Sequence, residues 1–183
     1  MYKENNIKPS KSIAGIMLSA ILSDTLLFKS PTCTQEDKNE AKYLAKIAGV
    51  NIESYGMKLI TAGTSLEGKT AEQIYYSDMK KFVFGKYNVV ISQINTADFK
   101  GIFDLINDIK EMMHRLCEVE KYDLALLMVT DIVLGGTELI AIGPAKELAL
   151  KAFGIDIKED SIFLPGVLSR KMQVVPKLMN AVQ

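Results

Sequence analysis

Asp123-Leu124-Ala125-Leu126-Leu127-Met128-Val129 is a run of apolar residues behind a single acid, and its reading decides the fold. A short continuous apolar run suits a strand buried on both faces. Upstream, Val89-Val90-Ile91 reads the same way, inside a strand over Tyr87–Ile94. Gly85-Lys86 is a two-residue hairpin signal joining that strand to one over Lys80–Phe84. Between the two buried strands, Asp98 or a neighbour starts one long helix. Ile102, Phe103, Leu105, Ile106, Ile109, Met112, Met113 and Leu116 recur in it at roughly helical spacing. Downstream, Gly135-Gly136-Thr137 turns into a strand over Glu138–Ile142. Pro144 opens a helix over Ala145–Phe153, which Gly154 closes. Ser161–Ser169 reads as the last strand and Val174–Val182 as a closing helix. The order β-β-α-β-β-α-β-α gives an α/β fold, a mixed five-stranded sheet covered by helices.

The first third is helical. Met1–Ser12 is a polar lead-in to a helix capped near Ser10 or Ser12. Ile13–Phe28 is apolar on nearly every face, as expected of a buried helix. Ser30-Pro31 breaks the chain, and Thr34-Gln35-Glu36-Asp37 reads as a capping box for a helix running to about Ala48 and ending at Gly49. Asn51 caps a further helix over Ile52–Thr61. Gly63-Thr64-Ser65-Leu66-Glu67-Gly68 has the composition of a linker. The expected organisation is therefore residues 1–62, a linker at 63–68, and a second domain at 69–183.

The chain has 183 residues, 48% hydrophobic and 24% charged, the balance of an ordinary globular protein. Lys+Arg and Asp+Glu are both 22, which argues against a nucleic-acid binder working by bulk charge. No apolar run reaches the ~18 residues of a membrane span. Cys33 and Cys117 lie far apart without metal-ligand spacing, and are expected as reduced thiols in a cytoplasmic protein. The single histidine, His114, shares a helix face with Glu111 and Glu118; a solvated face outweighs a metal site there.

Four features carry potential chemistry. Asp24 interrupts an apolar helix. It is either an acid satisfied at a frayed helix end beside Ser23 and Thr25, or one that is paired or metal-bound. Lys29 follows it, and Lys80 opens the second domain's sheet. Arg170-Lys171 sits in Leu164-Pro165-Gly166-Val167-Leu168-Ser169-Arg170-Lys171-Met172-Gln173-Val174-Val175-Pro176, after a turn and an apolar run. The pair is either a solvated strand end or a clamp for a small polyanion, because guanidinium matches phosphate oxygens two at a time.

Three stretches resemble the manganese-dependent, family II inorganic pyrophosphatases of the DHH phosphoesterase superfamily. They are Ala14–Thr34 around Ser23-Asp24-Thr25, then Ile47-Ala48-Gly49-Val50, and Ser169-Arg170-Lys171 with Gln173-Val174-Val175-Pro176. The resemblance implies the last helices of an N-terminal DHH domain followed by a DHH-associated C-terminal domain. It implies Asp24 as a metal ligand, Lys80, Arg170 and Lys171 as the substrate clamp, and Mn²⁺ (or Mg²⁺ or Co²⁺) as cofactor. Pyrophosphate is the implied partner, with no nucleic acid and no membrane.

The departures define the expectation further. The chain contains no Asp-His-His motif, so the metal would need ligands that this chain lacks. Met172 stands where the family often has lysine. The expectation is the C-terminal part of a pyrophosphatase, inactive alone. A short-chain exopolyphosphatase fragment and a non-catalytic phosphate-binding or association module are the alternatives. Apolar helix faces around Ile16, Leu22 and Leu26 would favour a homo-oligomer.

Overall fold

The computed structural model describes residues 2, 5–97, 99–154 and 160–183. The chain divides into two compact units, 1–63 and 64–183.

The first unit has three helices, α1 (Lys11–Asp24), α2 (Gln35–Ala48) and α3 (Ile52–Gly63). Ser10 caps α1 by accepting the Ile13 N–H. Thr34 and Asp37 form the expected capping box: Thr34 Oγ1 accepts the Asp37 N–H at 3.2 Å and Asp37 Oδ2 accepts the Thr34 N–H at 2.8 Å. Gly49, in the left-handed conformation, closes α2. The core is a stripe of Ala14, Leu18 and Leu22 set against Ala41, Leu44, Ala45 and Ala48. The alanines let the backbones approach, and each buried leucine contributes about 2 kcal/mol.

Helix α1 is thus buried along one stripe rather than on nearly every face. Ile16 is 66% exposed, while Leu22 and Leu26 lie inside the unit's own core, so they offer no apolar surface for association. The helix also stops four residues short of Phe28. Leu26, Leu27 and Phe28 are successive non-glycine residues with positive φ (47°, 55°, 67°), a conformation costing about 1 kcal/mol or more each. Buried Thr25 holds the turn: its Oγ1 donates to the Ile21 carbonyl at 2.7 Å and accepts the Phe28 N–H at 3.2 Å.

The second unit is a five-stranded sheet in the order β1-β2-β3-β4-β5. The strands are β1 (Met79–Phe84), β2 (Tyr87–Thr96), β3 (Leu124–Asp131), β4 (Gly136–Ile142) and β5 (Ser161–Pro165). Only the β2–β3 pair is parallel. The crossover between them runs through α5 (Phe99–Phe103) and α6 (Ile106–Val119). Every residue of β3 is buried, as its apolar run requires.

One face of the sheet (Val89, Ile91, Leu124, Leu126, Met128, Leu139, Ala141) packs on α7 (Lys146–Phe153) and α8 (Val175–Val182). The other (Val90, Ile94, Ala125, Leu127, Val129, Ile140) packs on α6 and on α4 (Ala71–Tyr76), whose start is the Thr70–Gln73 capping box. At Gly143 (φ 136°) a Cβ would lie 2.6 Å from the Asp123 carbonyl oxygen, so only glycine fits between β4 and the start of β3.

Three local expectations change. The single helix expected after residue 97 is two helices: Asp104 and Leu105 form a turn between them, the Leu105 N–H bonding back to the Ile102 carbonyl at 3.0 Å. Asp98 lies outside the described residues. Strand β5 ends at Pro165 because Gly166 (φ 74°) turns the chain, its N–H donating to the Gly135 carbonyl. Residues Arg170–Val174 form a π-helical turn leading into α8. No described helix is long and apolar enough to cross a membrane, and both cysteines are free thiols.

Candidate functional site

The segment from Gly166 to Val174 crosses the α7/α8 face of the sheet at the carboxyl end of the parallel β2–β3 pair, the end where α/β sheets receive ligands. Two glutamines fix it. Gln173 Oε1 accepts the Leu168 and Ser169 N–H groups at 2.9 and 3.0 Å, and its Nε2 donates to the Gly166 carbonyl at 2.8 Å. From the sheet, Gln93 Oε1 accepts the Arg170 N–H at 3.3 Å and Nε2 donates to the Leu168 carbonyl at 3.1 Å. Gln93 Nε2 also donates to Thr130 Oγ1. Thr130 and Thr137 hydroxyls pair at 2.9 Å, and Thr137 donates to the Val167 carbonyl at 2.6 Å. A polar ladder across β2, β3 and β4 therefore carries the turn. Ser169 Oγ caps the π-helical turn by accepting the Met172 N–H. Such turns recur at functional sites because they re-aim side chains.

Arg170 is 6% exposed. Its Nη2 donates to Asp78 Oδ1 at 2.8 Å; its Nη1 donates to the Asp78 carbonyl and, at 3.0 Å, to the Ile91 carbonyl. Burial of the charge is met by the carboxylate and two carbonyl dipoles. Lys171, next in the turn, is exposed. Lys80 is exposed on β1 and is the register partner of Ile91. Side chains alternate along a strand, so Lys80 shares its face with Phe82, Phe84 and Ile91. Lys80 thus stands beside Ile91, whose carbonyl Arg170 holds, and Lys171 follows Arg170 in the turn.

Asp24 stands apart from them in sequence, in the first unit. It is exposed at the last residue of α1, directly before the left-handed turn, rather than held in an apolar interior. One carboxylate does not fill the oxygen shell of a divalent ion. Among the described residues no group of three His, Cys, Asp or Glu side chains could hold a metal. The donor set described here thus does not by itself fit a two-metal cluster. His114, Glu111 and Glu118 lie on an exposed face of α6.

The sequence profile of the DHHA2 domain matches residues 57–181. The chain belongs to the DHHA2 domain family. This DHHA2 protein is 44% identical over 183 residues to a Clostridium acetobutylicum protein assigned as a manganese-dependent inorganic pyrophosphatase, covering 100% of this chain and 59% of the relative. It is 44% identical over 181 residues to the manganese-dependent inorganic pyrophosphatase of Bacillus subtilis, with 99% and 59% covered. Among solved structures, a Methanococcus jannaschii protein assigned to the family II inorganic pyrophosphatases superposes with a TM-score of 0.83 at 42% identity, over 96% of this chain and 57% of that one. The chain spans about 59% of the length of the curated relatives it matches.

Two residues of the DHHA2 corner escaped the sequence reading, Asp78 and Gln93. Asp78 precedes the first strand in a Ser-Asp pair typical of a turn, and Gln93 is one polar residue in an apolar strand. Neither has a local signal. What could have flagged Gln93 is its place near the end of a strand otherwise read as buried on both faces, where a side-chain amide needs partners.

Proposed function

We propose that this chain carries the substrate clamp of an inorganic pyrophosphatase. Lys80, Arg170 and Lys171 bind the pyrophosphate, and Asp24 contributes one ligand to a metal cluster whose other ligands come from outside the described residues. The observation that carries the reading is that Arg170, with exposed Lys171 next to it in the chain, reaches the carbonyl of Ile91, the register partner of Lys80, from a segment held by the Gln93 and Gln173 hydrogen bonds. Its support from relatives is the 44% identity that runs through both units.

Chemically, the corner does what a polyanion requires. Lys80 and Lys171 offer mobile point charges from solvent, while Arg170 offers a fixed planar donor. Charge-assisted contacts of this kind contribute about 1.5–3 kcal/mol each. Their role in hydrolysis is to orient the anhydride and to neutralise charge developing on the phosphoryl oxygens.

The test is calorimetric titration of the 183-residue chain with pyrophosphate. Saturable binding weakened about tenfold by Lys171→Ala and by Lys80→Ala supports the clamp; binding indifferent to both substitutions removes it. A phosphate-release assay with Mn²⁺ completes the test. The chain alone is expected to release almost none, and steady release abolished by Asp24→Ala would contradict that. Running tripolyphosphate beside pyrophosphate tells a pyrophosphatase clamp from one built for longer chains.

A further inference from the structure

Arginine has five N–H donors. In Arg170 three are engaged by this chain itself: both Nη1 hydrogens by the Asp78 and Ile91 carbonyls and one Nη2 hydrogen by Asp78 Oδ1. Among the described residues, the Nε–H and one Nη2–H have no partner. The guanidinium therefore cannot grip an anion end-on through Nη1 and Nη2, because its far end already faces Asp78. The Arg170 side chain is 7% exposed and that of Asp78 47%, so the arginine is fixed and the acid partly solvated. The backbone on either side is fixed as well, by Gln93 at the Arg170 N–H and by the Ser169 cap.

We propose that Asp78 is a positioning residue for polyphosphate binding. It holds the far end of the Arg170 guanidinium against the β1–β2 edge and leaves Nε–H and Nη2–H as the donors that meet a phosphoryl group. This rests on the clamp reading above and deepens it. A guanidinium held in place before the anion arrives loses no rotamer freedom on binding, which is how preorganisation raises affinity. Asp78 also compensates the buried charge while the site is empty of anion. The two roles of its carboxylate oppose each other in one measurable respect. As a nearby negative charge it weakens anion binding, and as an orienting group it strengthens it. The proposal holds that orientation outweighs repulsion.

Asp78→Asn keeps the size of the side chain but exchanges the charge-assisted bond for a weaker neutral one, so it loosens the orientation while lifting the repulsion, and the sign of the change shows which is larger. Pyrophosphate titration of the 183-residue chain, run well below the melting temperature that loss of the Arg170 counter-charge lowers, is expected to show binding weakened about tenfold in Asp78→Asn and partly rescued in Asp78→Glu. In the Arg170→Lys background Asp78→Asn is expected to add almost nothing, since there is no fork left to orient. The Arg170 Nε–H resonance, assigned by its loss in Arg170→Lys, is expected to shift on pyrophosphate addition in the unsubstituted chain and to stay put in Asp78→Asn.

Binding by Asp78→Asn as tight as, or tighter than, that of the unsubstituted chain overturns the proposal; so does full additivity with Arg170→Lys. If Asp78→Asn does not fold, Asp78→Glu and the Nε–H shift decide it alone, an unmoved resonance in the unsubstituted chain being the overturning result. Lys171→Ala run in parallel keeps the failures apart. If Lys171→Ala weakens binding and Asp78→Asn does not, the clamp stands and the positioning role falls. If the unsubstituted chain binds no pyrophosphate, both fall.

Discussion

Tyr75 in α4 is fully buried, and its hydroxyl has no hydrogen-bond partner among the described residues. Burial also pushes its ionisation well above the usual tyrosine range, so the group is a neutral phenol in an apolar core. An unpaired buried hydroxyl costs free energy that phenylalanine would avoid. Tyr75→Phe is expected to leave stability unchanged or raise it by about 1 kcal/mol in urea denaturation; a clear loss would mean that the hydroxyl has a partner. Thr137 is the opposite case, a buried hydroxyl bonded to both Thr130 and the Val167 carbonyl. Thr137→Val keeps the shape and strands both partners, for an expected loss of about 1–3 kcal/mol in the same measurement. Residue by residue, the sequence reveals the type of side chain better than its surroundings. Arg170 looks like a charge at a strand end, yet it is buried, because its counter-charge Asp78 arrives from 92 positions away. Asp24 looks embedded in an apolar helix, yet it is exposed. The buried stripe of α1 recurs every four residues through Ala14, Leu18 and Leu22, and position 24 falls outside it.

At the scale of elements, legibility follows how local the determining physics is. The capping boxes of α2 and α4, the Gly85-Lys86 hairpin and the double-sided burial of β3 are all visible in sequence, because neighbours within a few residues decide them. The break between α5 and α6 is not, since the apolar spacing continues through it while the chain bends at Leu105. The end of β5 depends on a bond from Gly166 to Gly135 across the sheet edge, which no local pattern announces. Two predictions belong here. Gly143→Ala puts a Cβ against the Asp123 carbonyl and the Leu124 Cα at a φ of 136°; it is expected to cost about 2 kcal/mol or more, read as a lowered urea midpoint. Asp160, just before β5, bonds Lys146 of α7 at 2.9 Å and Lys110 of α6 at 3.5 Å. The Lys146 hydrogen bond, more than the charge of Lys110, holds its carboxyl below the usual carboxylate range. The native state therefore binds this proton less tightly than the unfolded chain. The stabilisation is complete above the ordinary carboxylate pKa and falls away as pH drops through the lowered one. Asp160→Asn is expected to lower the urea midpoint at neutral pH and to converge with the unsubstituted chain in acid, as pH falls through the lowered carboxyl pKa. Parallel curves at both pH values would exclude this role.

At the scale of the whole molecule, 22 cations balance 22 anions, so no net field draws a polyanion to this protein. Attraction has to be local. Lys80 and Lys171 are exposed and screened by salt, whereas Arg170 is buried and already compensated by Asp78. Pyrophosphate affinity is expected to fall as ionic strength rises, with a shallower slope in Lys171→Ala, measured by titration at low and high salt. Equal slopes would place the field elsewhere. The Asp78–Arg170 bond also has a meaning in time. Its partners stand 92 residues apart, one before the first strand and the other in the last helical turns. A chain is made from its N-terminus, and its domains fold as they emerge. All five strands are synthesised before Arg170 exists, so the sheet can be nearly complete while this bond is still missing. A nascent chain that stops before residue 170 keeps Asp78 but has nothing for it to hold. The Asp78–Arg170 pair exists only once the chain has grown past all five strands.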